Sequence, residues 1–218
     1  MSKTEALWIE RLNKAIEVHN KPSAKFFQVA SVDKHGMPRN RTMVFRGMKN
    51  GVILAICDKR SEKVSQWGNL SRAELCWYFE DTREQFRLAC TVTLFTKDGE
   101  FKNAASRSHA SAMQEAAHKK GLQIVFDVWQ NLSQQAQEQF LWPAPKVPID
   151  SEKRIESVAI SSSDEHKSNI IDTVHENFVL LMFKPDSVDY LNLYAEPQIR
   201  ELHTLSDSKE WLSIQVNA

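Results

Sequence analysis

The chain has 218 residues, 42% of them hydrophobic and 26% charged, enough to bury a sizeable core as one domain over 1–218. Lys and Arg number 28 against 28 Asp and Glu, so no broad field draws the molecule to nucleic acid and its positive residues act only locally. Three cysteines, Cys57, Cys76 and Cys90, leave an odd count with no Cys-x-x-Cys pair, which fits reduced thiols in the cytoplasm better than a disulfide framework.

The start, Met1 to Glu5, lacks the apolar core of a signal peptide, and no segment reaches the ~20 apolar residues of a membrane span. Residues 1–20 read as a helix. Ser2 and Glu5 have capping-box spacing, Trp8, Leu12 and Ile16 make one apolar stripe, and Asn20-Lys21-Pro22 stops it. The opposite face carries both charge signs, so the stripe is expected to pack on the protein rather than on a membrane.

From residue 24 to 97 the pattern is that of short strands. Phe26 to Val32 is followed by a turn at His35-Gly36 and by Pro38 to Arg46; Asn50-Gly51, suited to a type I′ turn, introduces the apolar run Val52 to Cys57. Arg41 and Arg46 are five apart, so in a regular strand they face opposite sides, roughly 16 Å end to end at ~3.3 Å per residue. They could serve opposite ends of an elongated ligand, or simply face solvent. Ser61 is placed to cap a short helix carrying Val64 and Trp67, and the amides of that start beside Arg60 and Lys63 suit a phosphate, though a solvated surface turn reads equally well.

Ala73 to Phe79 and Gln85 to Thr96 are two further strands; in the second, Phe86, Leu88, Cys90, Val92 and Leu94 form one face and Gln85 lies on the more polar one. Over 103–142 the period becomes helical, with a break expected near Gly121. Pro143, Pro145 and Pro148 make a stiff connector, and Ser161 to Ser168 reads as a polar loop. Over 178–217 four closing strands are predicted, Phe178 to Lys184, Val188 to Leu193, Ile199 to Leu205 and Trp211 to Val216. The sum is a mainly β, α+β protein: an antiparallel barrel of six or more strands with flanking helices.

Pro38-Arg39-Asn40-Arg41-Thr42-Met43-Val44-Phe45-Arg46, then Asp58 to Lys63, Cys76-Trp77-Tyr78-Phe79 and Thr82-Arg83-Glu84-Gln85 together resemble the pyridoxamine 5′-phosphate oxidase-related FMN-binding split β-barrel family. The likeness is strong from Phe26 to Val92. Trp129-Gln130-Asn131-Leu132-Ser133 and Phe140-Leu141-Trp142-Pro143 resemble the signature of one subgroup, with Gln137 standing where an arginine would be expected.

The resemblance implies FMN as cofactor and a homodimer with flavin at the subunit interface. Arg41, Arg60, Ser61 and Lys63 would hold the phosphate and ribityl chain. Thr42, Met43, Val44 and Arg46 belong to the strand along the ring, Cys57 and Asp58 replace the family's small polar pair, and Gln85 would reach the ring edge. Ser133 and Gln134 would touch the partner's flavin; an ordinary amphipathic helix is the alternative. The implied activity is hydride transfer from a small molecule to flavin. A non-catalytic flavin-binding protein, or a barrel holding haem or a deazaflavin, are the alternatives.

Two departures bear on substrate. Arg46 stands where vitamin B6 phosphate oxidases of the family carry lysine, and Arg200-Glu201-Leu202-His203 replaces their Arg-Leu-His-Asp-Arg run; no counterpart of the phosphate-gripping Tyr and Arg is evident in Phe101 to Arg107. The seven histidines have no ligand spacing, which predicts no metal site. The six glycines form neither a phosphate loop nor a dinucleotide fingerprint.

Overall fold

The structure, a computed structural model, describes residues 6–100, 112–148 and 174–218. The capping box at Ser2 and Glu5, the stretch Phe101 to Arg107 and the polar loop Ser161 to Ser168 lie outside the described residues.

Helix α1 spans Leu7–His19, with Ala6 at its N-cap and Asn20 at its C-cap in the left-handed region, φ 34. An Asn tolerates that conformation better than most residues, and Pro22 two positions later prevents continuation. Strands β1 (Phe26–Val32) and β2 (Pro38–Val44) pair antiparallel in the register Val29↔Arg41. Their turn is held by Asp33, whose Oδ1 accepts the amides of His35 and Met37 at 2.9 and 3.0 Å, with Gly36 at φ 79.

Strands β3 (Met48–Lys49) and β4 (Val52–Asp58) close on Asn50-Gly51, both at positive φ, as a type I′ hairpin requires. The expectation that one regular strand carries both Arg41 and Arg46 fails: β2 ends at Val44, after which the Arg46 amide bonds Leu54 O. Gly47 at φ 124 bends the chain there, so strand alternation no longer relates the two arginines.

After α2 (Glu62–Asn69) come β5 (Arg72–Phe79), β6 (Glu84–Thr96) and β7 (Gly99–Glu100), then α3 (Ala112–Gln130) and α4 (Gln134–Glu138). Strands β8 (Phe178–Asn192), β9 (Ile199–Leu205) and β10 (Trp211–Val216) end the chain. The two strands expected before and after Pro185 are one. Pro185 lies inside that strand, two residues before the β9 ladder begins at Ser187. The helix break at Gly121 is also absent: α3 runs through it, for a packing reason taken up below.

The described residues group into two compact units, one comprising Met1–Ala55, Leu70–Val92 and Met182–Ala218, the other Ile56–Asn69 and Thr93–Leu181. In the first, the strand order is β10-β9-β8-β6-β5-β1-β2, a path that ends at β2 and β10 without closing. Alternation sends Phe27, Val29, Leu75, Trp77, Phe86 and Leu88 to one buried face. Rings meet there in a chain: Phe27–Trp77 at 5.2 Å, Trp77–Phe79 at 5.9 Å and Phe86–Tyr190 at 4.9 Å. A one-residue slip of any of these strands would expose the whole set, which is what fixes the register.

In the second unit Trp129, Phe140 and Phe178 form a triangle with centroids 5.3 to 5.7 Å apart, all buried. At ~1.5–3 kcal/mol for each fully buried large apolar side chain, this cluster dominates the packing of the α3–α4 region. Gln137, 2% exposed, donates from Nε2 to Trp129 O at 2.9 Å. At the position where the resemblance expects arginine, the residue is thus a neutral tie within the helical region. Among the described residues no helix is long and apolar enough to cross a membrane.

Candidate functional site

The second unit carries three of the four residues expected at a phosphate, Arg60, Ser61 and Lys63; the fourth, Arg41, lies in the first. β4 ends at Asp58, and Asp58 Oδ1 accepts the Arg60 amide at 2.7 Å, folding the chain toward α2. Ser61 sits at the N-cap position as expected, with Val64 N bonding its carbonyl, but its hydroxyl donates to Asp58 O at 2.6 Å instead of accepting from the helix. The amides opening α2 are therefore not covered by that side chain. Val64 and Trp67 anchor the helix in the interior, while Lys63, one residue before Val64, is half-exposed and makes no hydrogen bond or ion pair among the described residues. Arg60 differs: its Nε and Nη2 fork onto Asp58 at 2.9 and 2.6 Å.

Close by, Asn177 N donates to His175 Nδ1 at 3.1 Å, so this nitrogen is the unprotonated one. Burial, with Arg60 and Lys97 adding to it against the opposing carboxylates of Glu176 and Asp58, pushes the His175 pKa below the usual imidazole value. Cys57, also at the end of β4, is buried.

In the first unit, alternation along β2 divides the expected ring-contacting residues. Arg41 and Met43 lie on the face shared with Val29 and Phe27, where Met43 is buried and Arg41 Nη1 donates to Ser31 Oγ at 2.5 Å and to Val29 O at 3.3 Å. Thr42 and Val44 lie on the opposite face. The registers Thr42↔Gln28, Gln28↔Cys76 and Cys76↔Arg87 carry that outer face across to β6, where Gln85 follows two residues from Arg87 and pairs Tyr78. Thr42, Val44 and Gln85 thus share a face, and Arg41 and Met43 do not. Gln85 is half-buried with no side-chain partner among the described residues, whereas Arg46, beyond the strand, is exposed.

Ser133 caps α4, accepting from Ala136 N at 3.3 Å, and Gln134 Nε2 donates to Glu138 Oε1 at 3.0 Å; both are exposed. On β9, the spacing of three places Arg200 and His203 on opposite faces. Arg200 is forked onto Asp189 at 3.0 and 2.8 Å. His203 is 1% exposed, 3.4 Å from Glu201, which in turn pairs with Arg11 at 2.6 Å. Sequence reasoning missed the pairing of Arg60 with Asp58 and the carbonyl of Trp142; the proline after Trp142 was the available signal.

These features define a mainly antiparallel sheet of the split-barrel class. A family profile described as "Pyridoxamine 5′-phosphate oxidase, FMN-binding domain" matches residues 5–96. The chain is similar to a solved pyridoxamine 5′-phosphate oxidase-related, FMN binding protein from Nostoc punctiforme, with 32% identity, 99% of each chain covered and a TM-score of 0.78. It is 29% identical over 217 residues, 97% of each, to pyridoxine/pyridoxamine 5′-phosphate oxidase 2 of Arabidopsis thaliana. PhzG from Burkholderia lata, solved with tetrahydrophenazine-1-carboxylic acid, shares the fold at a TM-score of 0.72 but only 12% identity, covering 97% and 91% of the chains. The chain belongs to the pyridoxamine 5′-phosphate oxidase-related family.

Proposed function

We propose that this protein is an FMN-binding oxidoreductase that acts on a small molecule, as a cytoplasmic homodimer. The observation that carries the cofactor is Lys63, an ammonium with no partner among the described residues, the second residue of α2. A cation beside a helix start is the chemistry a phosphate monoester requires. Family membership supports a phosphate role for Arg41 and Ser61, a place along the flavin for Thr42, Met43, Val44, Arg46, Cys57 and Gln85, and a role toward a partner's flavin for Ser133 and Gln134; Arg60 and Asp58, bonded to each other, are taken up below.

Each unit fits the cofactor by its own residues: the second through donors suited to a phosphate, the first through the Gln85 side-chain amide, without a partner among the described residues and on the same sheet face as Val44. Bound FMN would supply hydride acceptance, which no side chain here can replace. The chain's own residues bind, orient and tune. A carboxamide held at a ring edge would do the last.

The name of the Arabidopsis relative raises pyridoxine or pyridoxamine 5′-phosphate as substrate. The β9 strand argues for another one. An Arg and a His two apart on a strand share a face and can grip one anion; Arg200 and His203, three apart, cannot, and Arg200 is already forked onto Asp189 while His203 is buried.

The test is an absorption spectrum of purified protein with mass identification of what denaturation releases. Flavin bands with about one FMN per chain are expected. A colourless protein that takes up no added FMN would leave the fold without the cofactor. Pyridoxine 5′-phosphate offered to the yellow protein in air should be turned over slowly or not at all.

A further inference from the structure

Arg60 is engaged before any ligand arrives. Two of its donors fork onto Asp58, whose side chain is only 15% exposed, and the same Nη2 reaches the carbonyl of Trp142 at 2.8 Å. Pro143 explains why that carbonyl is available. A residue before proline is held extended, and Trp142, at φ −64 and ψ 161, leaves the 3-10 turn Gln139–Leu141 with its C=O outside the helical ladder. Two other ties run alongside. Lys59 N donates to Asn177 O at 2.7 Å while Asn177 Nδ2 donates to Phe140 O at 3.2 Å, and Lys146 pairs with Glu62 at 2.6 Å, an exposed contact of little weight.

We infer that Arg60 is a positioning residue and not a phosphate ligand: through Asp58 and the Trp142 carbonyl it holds the 58–62 loop against the 139–146 strap, leaving Ser61 and Lys63 at the start of α2 to meet the phosphate. This rests on the FMN reading. The argument is one of charge and geometry. A guanidinium forked onto a shielded carboxylate has its charge compensated, and turning it to a second anion would break the bonds to Asp58 and to Trp142. Among the described residues Lys63 has no bond to break.

The two roles predict opposite behaviour for Asp58. If Arg60 were a ligand, Asp58 would be its competitor, and Asp58→Asn would tighten FMN. If Arg60 positions, Asp58→Asn and Arg60→Gln remove the same clip. Each should then weaken FMN by a similar factor, about tenfold, and the double variant should be no worse than either single one. In ligand-free protein both should also speed amide hydrogen exchange across 139–147 by several-fold, which loss of a mere ligand would not do. Arg60→Lys, which keeps the charge but not the fork, should behave like Arg60→Gln. Tighter FMN binding by Asp58→Asn, or unchanged exchange in Arg60→Gln, would overturn the assignment. Should the wild-type protein bind no FMN, the exchange arm still decides whether the clip exists, so its failure is separable from failure of the cofactor reading.

Discussion

Lys63 and Arg41 were expected to do the same thing, and their surroundings separate them. Lys63 has no partner among the described residues, whereas Arg41 already donates to Ser31 Oγ and Val29 O from the buried face of β2. Lys63→Ala should therefore weaken FMN roughly tenfold or more while changing riboflavin little, since a charge-assisted bond contributes ~1.5–3 kcal/mol. Parallel loss of both ligands in a titration followed by flavin fluorescence would sink the phosphate assignment. Two histidines set a second expectation. His203 and His175 are held below the ordinary imidazole value of 6.5, in both chiefly by burial. Above that value both folded and unfolded chains keep them neutral. As pH falls below about 6.5 the unfolded chain takes up protons that the folded one refuses, so stability should fall with acidity. Urea midpoints at pH 7.5 and 5.5 check this, and His203→Gln should flatten the difference.

At the scale of elements, a glycine inside a helix is ordinarily a weak point, and the sequence reading took Gly121 as a break for that reason. The structure gives it a different use: a Cβ built there would lie 2.1 Å from Phe95 Cε1, so α3 can approach β6 only at a residue without one. Gly121→Ala should consequently destabilise by ~1–3 kcal/mol through overpacking, more than the ~1 kcal/mol of helix propensity it gains. A raised urea midpoint would mean Phe95 moves aside freely. Gly99 repeats the device at φ 112, its Cβ position 1.9 Å from His118. Elements set by local chemistry were legible: the Asn50-Gly51 hairpin, the Asp33 to Met37 turn region and the alternation of β5 and β6 all follow from residues within a few positions of one another. Those that depend on a distant neighbour were not, as the unbroken β8 and α3 demonstrate.

For the whole molecule, the proposal of a homodimer with flavin between subunits is checked by light scattering during size exclusion, where a mass near twice 25.1 kDa is expected. A monomer that nonetheless retains FMN would remove the cross-subunit role from Ser133 and Gln134. Those two residues show how far sequence reading carries. Ser133 was picked as a flavin contact from its place after Trp129 and Leu132, yet the described structure uses it first as the cap of α4.

The residues alone determined the family, the antiparallel class, most strand positions and the candidate set, because hydrophobic period, turn chemistry and separated motifs are local properties written in order along the chain. Tertiary structure decided which candidates are available. Neighbours distant in sequence occupy Arg60 through the Trp142 carbonyl and Arg41 through Ser31, and among the described residues none pairs with Lys63. Availability is a matter of which polar groups meet once the chain is packed, and no spacing rule along a sequence contains it.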